Sequence, residues 1–417
     1  MLPNKSTTID HGFAALVKNR GFMLLWIGQL ISQLADKIFF VLMIALLKLY
    51  LPVNGGAEDG RFYLYMTFTA PAMLFGSVGG IIVDRVPKKL IMVGSDAVRG
   101  VLMILIPFLP REFAILLLFT FLISTITQFF APAEQSAIPL LVKKEGLMAA
   151  NALFSSTMMA ALIIGNAVAT PMLNWFESFN KGFGKELIVG CLYLLSALIM
   201  MPIHFREHRL NQHTAPINPW SEFMLGLRYL KQNRLVWNAM LQIVTLYCVF
   251  AALIELAIGM AARLHLAPEE FSSFVAAAGV GMVTGAAILG HFSYRLHHKP
   301  LPLIGFITMA FSLGLFIFID NQPLALGLCI FLGIGAAFVN VPMQTLIQQQ
   351  TPPEMHGKVF GFQNHAINIA LTAPLLITAK LVNSFGLSVV LLGMSVLVGA
   401  IGILSWQNTR KVLPDVI

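Results

Sequence analysis

The strongest constraint on this chain is a series of twelve apolar runs, each about as long as a membrane-crossing helix. A bilayer core of roughly 30 Å is crossed by about 20 apolar residues in a helix. The runs cover residues 22-49, 62-83, 90-109, 113-139, 148-174, 187-204, 236-262, 271-290, 301-319, 323-347, 360-383 and 386-406. The sequence therefore predicts an all-α membrane protein with twelve transmembrane helices.

The composition agrees with this prediction. Of the 417 residues, 57% are hydrophobic and 11% are charged, whereas about a quarter of the residues of a soluble domain are charged. The first run is longer than the apolar region of a signal peptide, which has roughly 7 to 15 residues. We therefore expect the first run to be a retained helix of a multi-pass protein of the cell (inner) membrane.

The basic residues predict how the chain is oriented in that membrane. If the N-terminus is inside, eighteen of the 27 Lys and Arg residues fall on cytoplasmic segments, including Arg206, Arg209, Arg295 and Lys299. Six, among them Lys181, fall on the opposite loops. Positive residues mark cytoplasmic loops, so both termini are expected in the cytoplasm. This asymmetry accounts for the net charge of +8 without a nucleic-acid partner.

The two halves of the chain resemble each other. Gly80-Ile-Ile-Val-Asp-Arg-Val-Pro-Lys-Lys follows the second run, and Gly290-His-Phe-Ser-Tyr-Arg-Leu-His-His-Lys follows the eighth, 210 residues later. Pro132 and Pro342, in the fourth and tenth runs, have the same offset. Transporters are often built from such repeats. The pattern predicts two six-helix halves and a cytoplasmic linker, at residues 1-205, 236-417 and 206-235, respectively.

The first copy of this loop resembles the signature of the major facilitator superfamily, Gly-x-x-x-Asp-Arg-x-Gly followed by two basic residues. Pro87 stands where the family usually has Gly, and Tyr294 replaces the Asp in the second copy. The resemblance implies the major facilitator fold and secondary transport by alternating access.

Three further segments resemble the macrolide-efflux and lysophospholipid-transporter branch of that superfamily. They are Gly28-Gln-Leu-Ile-Ser-Gln-Leu-Ala-Asp36, Ala131-Pro-Ala133 and Asn151-Ala-Leu153. This resemblance implies an amphipathic or lipophilic small-molecule cargo. It leaves open proton-coupled efflux, a lysophospholipid flippase or importer, and a non-transporting assembly factor with this fold.

A group of charged residues at the cytoplasmic ends of helices two to four is expected to act in gating. Asp84 opposes the positive-inside trend and can accept charge-assisted hydrogen bonds from a neighbouring helix end. Asp96 and Arg99 are spaced i, i+3 and can pair on one helix face. The candidate gating residues are Asp84, Arg85, Lys88, Lys89, Asp96, Arg99 and Glu134.

Asp36 is the main candidate for substrate binding or coupling. A charge near the bilayer centre costs roughly 2.5 to 3.5 kcal/mol on insertion scales. Gln29, Gln33 and Asp36 recur at helical spacing on one face, which must meet a partner or a water-filled cavity. Asp36 can carry a coupling proton or contact a cationic substrate. Alternatively, it forms a structural buried pair, with Lys37 neutralising it or pairing with another helix.

Other polar groups within the runs are candidates for lining the same cavity. Glu255 lies closer to the outer boundary of the seventh run. The remaining candidates share helical spacing with polar neighbours and are Gln128, Gln242, Asn340, Gln344, His365 and Asn368. Membrane helices also use such residues for hydrogen bonds between helices, and that alternative stays open here.

The residue types favour an amphipathic or lipophilic cargo over a multiply charged anion. Phe39, Phe40, Phe129 and Phe130 flank the polar stripes, and Lys37 is the main cation at mid-depth. Cys191, Cys248 and Cys329 are dispersed without metal or disulfide spacing. We expect no enzyme activity, metal or cofactor, and a monomer whose partners are the substrate, membrane lipid and a candidate coupling proton.

Overall fold

The computed structural model describes residues 13–50, 57–179, 183–204, 219–266, 270–292 and 300–412. These residues form α-helices joined by short turns, and none of them lies in a strand. The helices are α1 (Phe13–Val17), α2 (Arg20–Tyr50), α3 (Ala57–Arg85), α4 (Lys88–Leu105), α5 (Phe113–Leu141), α6 (Leu147–Phe179), α7 (Gly184–Met200), α8 (Pro219–Gln232), α9 (Arg234–Arg263), α10 (Phe271–His291), α11 (Leu301–Leu315), α12 (Gln322–Gln350), α13 (His356–Phe385) and α14 (Leu387–Val412).

Some sequence predictions lie outside the described residues. These are the basic residues Lys181, Arg206 and Arg209, the second signature loop from Tyr294 to Lys299, and the linker up to residue 218. The described part of the linker contains α8, a surface helix that leads into α9.

Eleven of the described helices are long and apolar enough to cross a membrane. The sixth predicted run, residues 187-204, corresponds to α7, which has only 17 residues and ends at Met200. Pro202 follows, and a proline cannot donate the next backbone hydrogen bond of a helix. The all-α membrane fold is therefore confirmed, while the count of twelve spans stays a prediction.

The apolar residues form a separate core in each half of the chain. One core combines side chains of α2 to α7, including Leu42, Met43 and Leu116. Another combines side chains from α9 to α14, including Ile243 and Phe306. A smaller cluster joins the halves, because residues of α6 pack there against residues of α10, α11 and α12.

We call the two ends of the helix bundle the linker end and the far end. The linker end carries α8, the turn at Pro87 between α3 and α4, and the first residue of α13, His356. The far end is the opposite one, where α2 ends at Tyr50 and α5 begins at Phe113. The side chains that connect the two halves are distributed unevenly between these ends.

Glycines let α10 and α12 approach each other closely, as the small-residue spacing of Gly281 and Gly285 predicts. A Cβ at Gly281 would lie 2.0 Å from the carbonyl oxygen of Ile330. A Cβ at Gly333 would lie 1.9 Å from the carbonyl oxygen of Ala278. These two helices pack backbone against backbone, which fixes their positions within the C-terminal half.

We predict that Gly333→Ala destabilises the protein, although alanine is the better helix former. The new methyl group must push two backbones apart, and such overpacking costs about 1–3 kcal/mol. Gly327→Ala is the matched control, because Gly327 lies in the same helix and a Cβ there would have no neighbouring atom within 4 Å. Thermal unfolding in detergent checks this, and equal midpoints for the two variants would contradict it.

Candidate functional site

A fully buried arginine organises the N-terminal half. Arg99 on α4 is 0% exposed and lies 11 residues after the start of its helix, about 16 Å into the bundle at 1.5 Å per residue. We call its surroundings the Arg99 cluster. Its members come from α2, α4, α5 and α7 and are Ser32, Asp36, Asp96, Arg99, Thr127, Glu134, Tyr193 and Ser196.

The guanidinium group of Arg99 joins three helices. Its Nη1 donates to Asp36 Oδ1 at 2.9 Å and to Thr127 Oγ1 at 3.2 Å. Its Nη2 donates to Ser32 Oγ at 3.0 Å and also to Asp96, three residues earlier on α4. The ring of Tyr193 lies 4.6 Å from the guanidinium carbon, so a cation–π contact adds to the ion pairs.

Hydroxyl groups of α2 and α7 complete the shells of the two aspartates. The phenol of Tyr193 donates to Asp36 Oδ1 at 2.6 Å. Ser196 donates to Asp96 Oδ2 at 2.5 Å, and Ser32 donates to Asp96 Oδ1 at 3.1 Å. Asp96 is 0% exposed, whereas the Asp36 side chain is 22% exposed. Asp36 is thus the side of the cluster that reaches solvent.

Glu134 on α5 is the third carboxyl group of the cluster. It is 6% exposed, and its Oε1 atom has no hydrogen-bond partner. Its charged neighbours are Asp96, Asp36 and Arg99. Three carboxyl groups, of which Asp96 and Glu134 are buried and Asp36 is partly exposed, therefore lie near one guanidinium, and ionising all three leaves negative charge that no cation of the cluster balances. Across the described residues, no group of three His, Cys, Asp or Glu side chains is arranged to hold a metal ion.

A cavity of about 400 Å³ adjoins the cluster at mid-depth. Asp36 belongs to both, because it lines this cavity and also accepts hydrogen bonds from Arg99 and Tyr193. The remaining lining residues are mostly aromatic or polar and are Lys37, Phe39, Phe40, Phe68, Ser124, Thr127, Gln128 and Leu162. The arrangement places a carboxylate, a lysine and several aromatic rings around one space.

The placement of three gating candidates differs from the sequence prediction. The sequence predicts that Asp96, Arg99 and Glu134 form an inner gate together with Asp84. In the structure, these three residues lie beside Asp36 instead. The role of Lys37 also differs from one of the predicted alternatives, in which Lys37 neutralises Asp36. In the structure, Arg99 forms the ion pair with Asp36. Lys37 packs against Gly165 and has no ion pair with any described residue. Sequence spacing could not predict the contact of Asp36 with Arg99 or that of Lys37 with Gly165, because each contact joins two different helices.

Asp84 connects the halves at the linker end. It is 6% exposed, and its carboxylate accepts hydrogen bonds from the backbone N–H groups of Gly357 at 2.5 Å and Lys358 at 3.0 Å. The Lys358 ammonium adds a third at 3.3 Å. These donors lie in the first turn of α13, where the helix dipole favours a negative charge.

The linker helix α8 contributes to the same contact. Glu222 forms ion pairs with Arg85 and, at 3.2 Å, with Lys358. Burial opposes ionisation of Glu222, but the hydrogen bonds and charges of these two cations lower the pKa of Glu222 below its ordinary value. We call Asp84, Arg85, Glu222, Gly357 and Lys358 the linker-end network. Of the other candidate gating residues, Lys88 is buried and Lys89 is half-buried.

Glycines allow the two halves to touch closely beside this network. A Cβ at Gly80 would lie 2.1 Å from the carbonyl oxygen of Gly357 and 2.7 Å from the Cα atom of Gly361. The first glycine of the signature loop is therefore the site where the backbones of α3 and α13 meet. Any side chain at this position would separate the halves.

Several candidate cavity residues instead form hydrogen bonds between the halves. Gln128 accepts from Asn364 at 2.9 Å. Asn340 donates to Ser155 at 3.0 Å. Further contacts of this type join Gln344 to Gln135, Asn151 to Thr345 and Gln348, and His365 Nδ1 to the carbonyl oxygen of Ala72. Among the described residues, these bonds extend from the linker end to mid-depth and no further towards the far end.

The other candidates lie apart from these contacts. Gln29 is buried with an unpartnered Oε1 atom, and Gln33 is half-buried. Gln242 is buried within the C-terminal half, and Glu255 is half-exposed nearer the far end. Asn368 donates to the Asn364 carbonyl oxygen within its own helix. None of these five lines the cavity that contains Asp36.

The sequence prediction missed some functional residues. Tyr193 and Ser196 hold the two aspartates, and their i, i+3 spacing in an otherwise apolar run was a usable signal. Glu222 and Lys358 had no such signal, because they lie 137 and 274 residues from their partners Arg85 and Asp84. Their importance follows only from the packing of the two halves.

Comparison with known proteins identifies the family. The model of the Major Facilitator Superfamily matches residues 25–373. The chain belongs to the Major Facilitator Superfamily. It is accordingly a membrane transporter by family, and its relatives include exporters. Macrolide efflux protein A of Streptococcus pyogenes is 24% identical over 389 residues, which are 88% of this chain and 90% of that protein.

Two further comparisons extend this result. A putative bacilysin exporter of Bacillus subtilis is 24% identical over 306 residues, covering 72% of this chain and 74% of that protein. Among solved structures, the fucose:proton symporter of E. coli has a TM-score of 0.70 at 15% identity, covering 93% of this chain and 98% of that one. A bacterial homologue of the iron transporter ferroportin, in an outward-facing state, has a TM-score of 0.66 at 16% identity, covering 93% and 99%. At these identities, the structures support the fold alone.

We predict that Arg99→Gln destabilises the protein far more than Asp36→Asn. The first change leaves the buried Asp96 and the partly exposed Asp36 without a cation, and breaking a buried pair in this way costs about 3–5 kcal/mol. The second keeps Arg99 paired with Asp96. Arg263→Gln is the control, because Arg263 pairs with Asp320, which is 79% exposed. Melting points in detergent that fall equally for Arg99→Gln and Arg263→Gln would contradict the prediction.

We also predict that Asp84→Asn loosens the linker end. Hydrogen bonds to a charged group contribute about 1.5–3 kcal/mol, so the closed arrangement is expected to lose population by about tenfold or more. A cysteine replacing the buried Met148, in a background without native cysteines, reports this as faster maleimide labelling. Met148 lies in the cluster that joins the halves. Asp320→Asn is the control, and an unchanged labelling rate in Asp84→Asn would refute the prediction.

Proposed function

We propose that this transporter is a proton-coupled exporter of amphipathic or lipophilic small molecules, with the linker end and both termini in the cytoplasm. The single observation that carries this proposal is the position of Asp36. One carboxylate lines the cavity and is also bound by the buried cation of the Arg99 cluster. Cargo and proton can therefore compete for the same group.

The charge balance of the cluster supports proton binding. Asp36, Asp96 and Glu134 surround the single cation Arg99, and an unbalanced buried charge is costly enough that such a group takes up a proton instead. Asp36 is the carboxyl group of the cluster that faces the cavity, so we assign it the exchange of protons with solvent. Protonation of Asp36 weakens its ion pair with Arg99, so that the hydrogen bonds of Ser32 with Arg99 and Asp96 become the main polar link between α2 and α4.

The chemistry of the cavity favours a cargo with an apolar body and few charges. The rings of Phe39, Phe40 and Phe68 form one wall, and aromatic faces bind apolar and cationic groups. Lys37 and Asp36 offer one group of each sign. A multiply charged anion would require a cluster of cations, and the guanidinium of Arg99 is fully buried behind Asp36.

The arrangement of the halves corresponds to one state of a transport cycle. The described hydrogen bonds between the halves lie from the linker end to mid-depth, so this structure is closed at the linker end. With that end in the cytoplasm, the state is outward-facing. In such a state, an exporter releases its cargo and takes up a proton at Asp36. Opening the linker end then requires the linker-end network to separate.

The test is transport by purified protein in liposomes under an imposed pH gradient, with an amphipathic cationic dye and a lysophospholipid as parallel cargoes. We predict dye movement driven by the gradient in the wild type and its loss in Asp36→Asn. Because Asn at this position keeps the size of the side chain but carries no proton, downhill dye exchange without a gradient is expected to persist. Asp320→Asn is the matched control and should transport like the wild type.

The alternatives predict different results. Gradient-driven transport that survives in Asp36→Asn would rule out the proton role. Downhill movement of the lysophospholipid alone, without any effect of the gradient, would identify a flippase or importer. If well-folded protein moves neither cargo, a non-transporting assembly factor becomes the better explanation.

A further inference from the structure

A second cavity lies outside the transport path, between the first residues of α9 and the last residues of α14. Its volume is about 340 Å³. The residues that line it are Arg234, Leu235, Trp237, Asn238, Leu241, Asn408 and Thr409. The candidate span in α9 begins at Arg234, and the candidate span in α14 ends at Arg410. The cavity thus opens where the hydrocarbon of a membrane meets its headgroups.

The walls of this cavity are divided between polar and apolar residues. Arg234, Asn238, Asn408 and Thr409 form the polar part. Leu235, Trp237 and Leu241 form the apolar part, and Trp237 is 39% exposed. Tryptophan is enriched at the boundary between hydrocarbon and headgroups. A molecule with a polar head and an apolar tail can place its head against the polar part of the cavity and its tail against the apolar part.

The polar part is held rigidly by hydrogen bonds between the two helices. The Asn238 amide donates to the carbonyl oxygen of Ser405 at 3.2 Å and to Thr409 Oγ1 at 2.7 Å. Thr409 in turn donates to the Ser405 carbonyl oxygen at 2.9 Å. These bonds fix the spacing of α9 and α14, so the cavity is preformed.

Among the described residues, the charge around the cavity is positive. Arg234 has no ion pair with any described residue, and Arg410 stacks on Trp406. Along α8, α9 and α14, the carboxyl groups are Glu222, which is bound by Arg85 and Lys358, and Glu255, which lies nearer the far end. Arg234 is therefore available to bind an anionic group in this cavity.

The apolar surface continues beyond the cavity towards the far end. Leu404 is one helical turn from Asn408 on α14, and Leu397 is two further turns away. They are 59% and 58% exposed, respectively. Together with Leu241 of α9, which is 44% exposed, they extend the apolar wall towards the bilayer core. This surface distinguishes a lipid from a free anion, because a free phosphate has no tail to place there.

We propose that this cavity binds the headgroup of an anionic phospholipid, with Arg234 contacting the phosphate and the acyl chains lying along Leu241 and Leu404. Basic pockets between membrane helices bind such headgroups. The site is separate from the cavity of Asp36, and the proposal stands whatever the cargo and its coupling are. Its occupant joins α9 to α14 within the C-terminal half.

The test compares lipids that share acyl chains but differ in headgroup charge. Purified protein in detergent is titrated with phosphatidylglycerol, phosphatidylcholine or inorganic phosphate, and bound lipid is counted by native mass spectrometry. Phosphatidylglycerol is expected to bind the wild type, and Arg234→Gln should reduce its apparent affinity by about fivefold, the effect of one basic residue at an anionic surface. Phosphatidylcholine and phosphate should bind weakly.

A second cavity variant makes the test independent of Arg234. Asn408→Asp places a negative charge in the cavity and should also weaken phosphatidylglycerol binding. Arg228→Gln and Gln407→Glu are the matched controls, because both residues lie at the same end and neither lines the cavity. The controls should bind as the wild type does.

Three outcomes would overturn the proposal. Equal phosphatidylglycerol binding by the cavity variants and the controls would place the lipid elsewhere. Equal binding of phosphatidylcholine would remove the role of headgroup charge. Displacement of the lipid by millimolar inorganic phosphate, at constant ionic strength, would identify a site for free anions.

Discussion

The ion pair between Arg99 and Asp36 is the interaction on which the N-terminal half depends. Burying a guanidinium costs several kcal/mol unless carboxylates and hydrogen bonds compensate. The sequence supplies that compensation from four helices, through two aspartates, two serines, a threonine and a tyrosine. Each helix that contributes a group is thereby held in one position and rotation relative to α4. A polar core of this kind specifies the arrangement of membrane helices, which apolar packing alone leaves less defined.

Adjacent residues of α5 connect this core to the contact between the halves. Thr127 accepts a hydrogen bond from Arg99, and Gln128 accepts one from Asn364 of the C-terminal half. A change in the Arg99 cluster that rotates α5 must therefore alter the contact between the halves as well. This is a physical route by which the protonation of a buried carboxylate can affect the opening of the bundle. This coupling involves no intermediate residues, because the residues that accept the two hydrogen bonds, Thr127 and Gln128, are adjacent in α5.

The sequence predicted the class of fold and the most informative residue, but not the partners of that residue. Asp36 was recognisable because a carboxylate in an apolar run requires an explanation. Its pairing with Arg99 depends on how α2 and α4 each pack against α7, and no local spacing contains that information. The family signature indicated that Asp84 acts at a helix end, whereas the backbone donors of α13 are 273 and 274 residues away. Polar spacing singled out Gln128, Asn340 and Gln344 without indicating whether they face a cavity or the other half.

The short helix α7 has a consequence for the membrane around the protein. Its 17 residues span about 25 Å at 1.5 Å per residue, which is less than the thickness of a typical hydrocarbon core. If α7 is the twelfth membrane span that the sequence predicts, this mismatch is met by local thinning of the bilayer on that side. Because α7 also carries Tyr193 and Ser196, its vertical position sets their distance to Asp36 and Asp96. Bilayer thickness would then act on the geometry of the ion pairs, and a thicker membrane would strain the hydrogen bonds that Tyr193 and Ser196 make to the two aspartates.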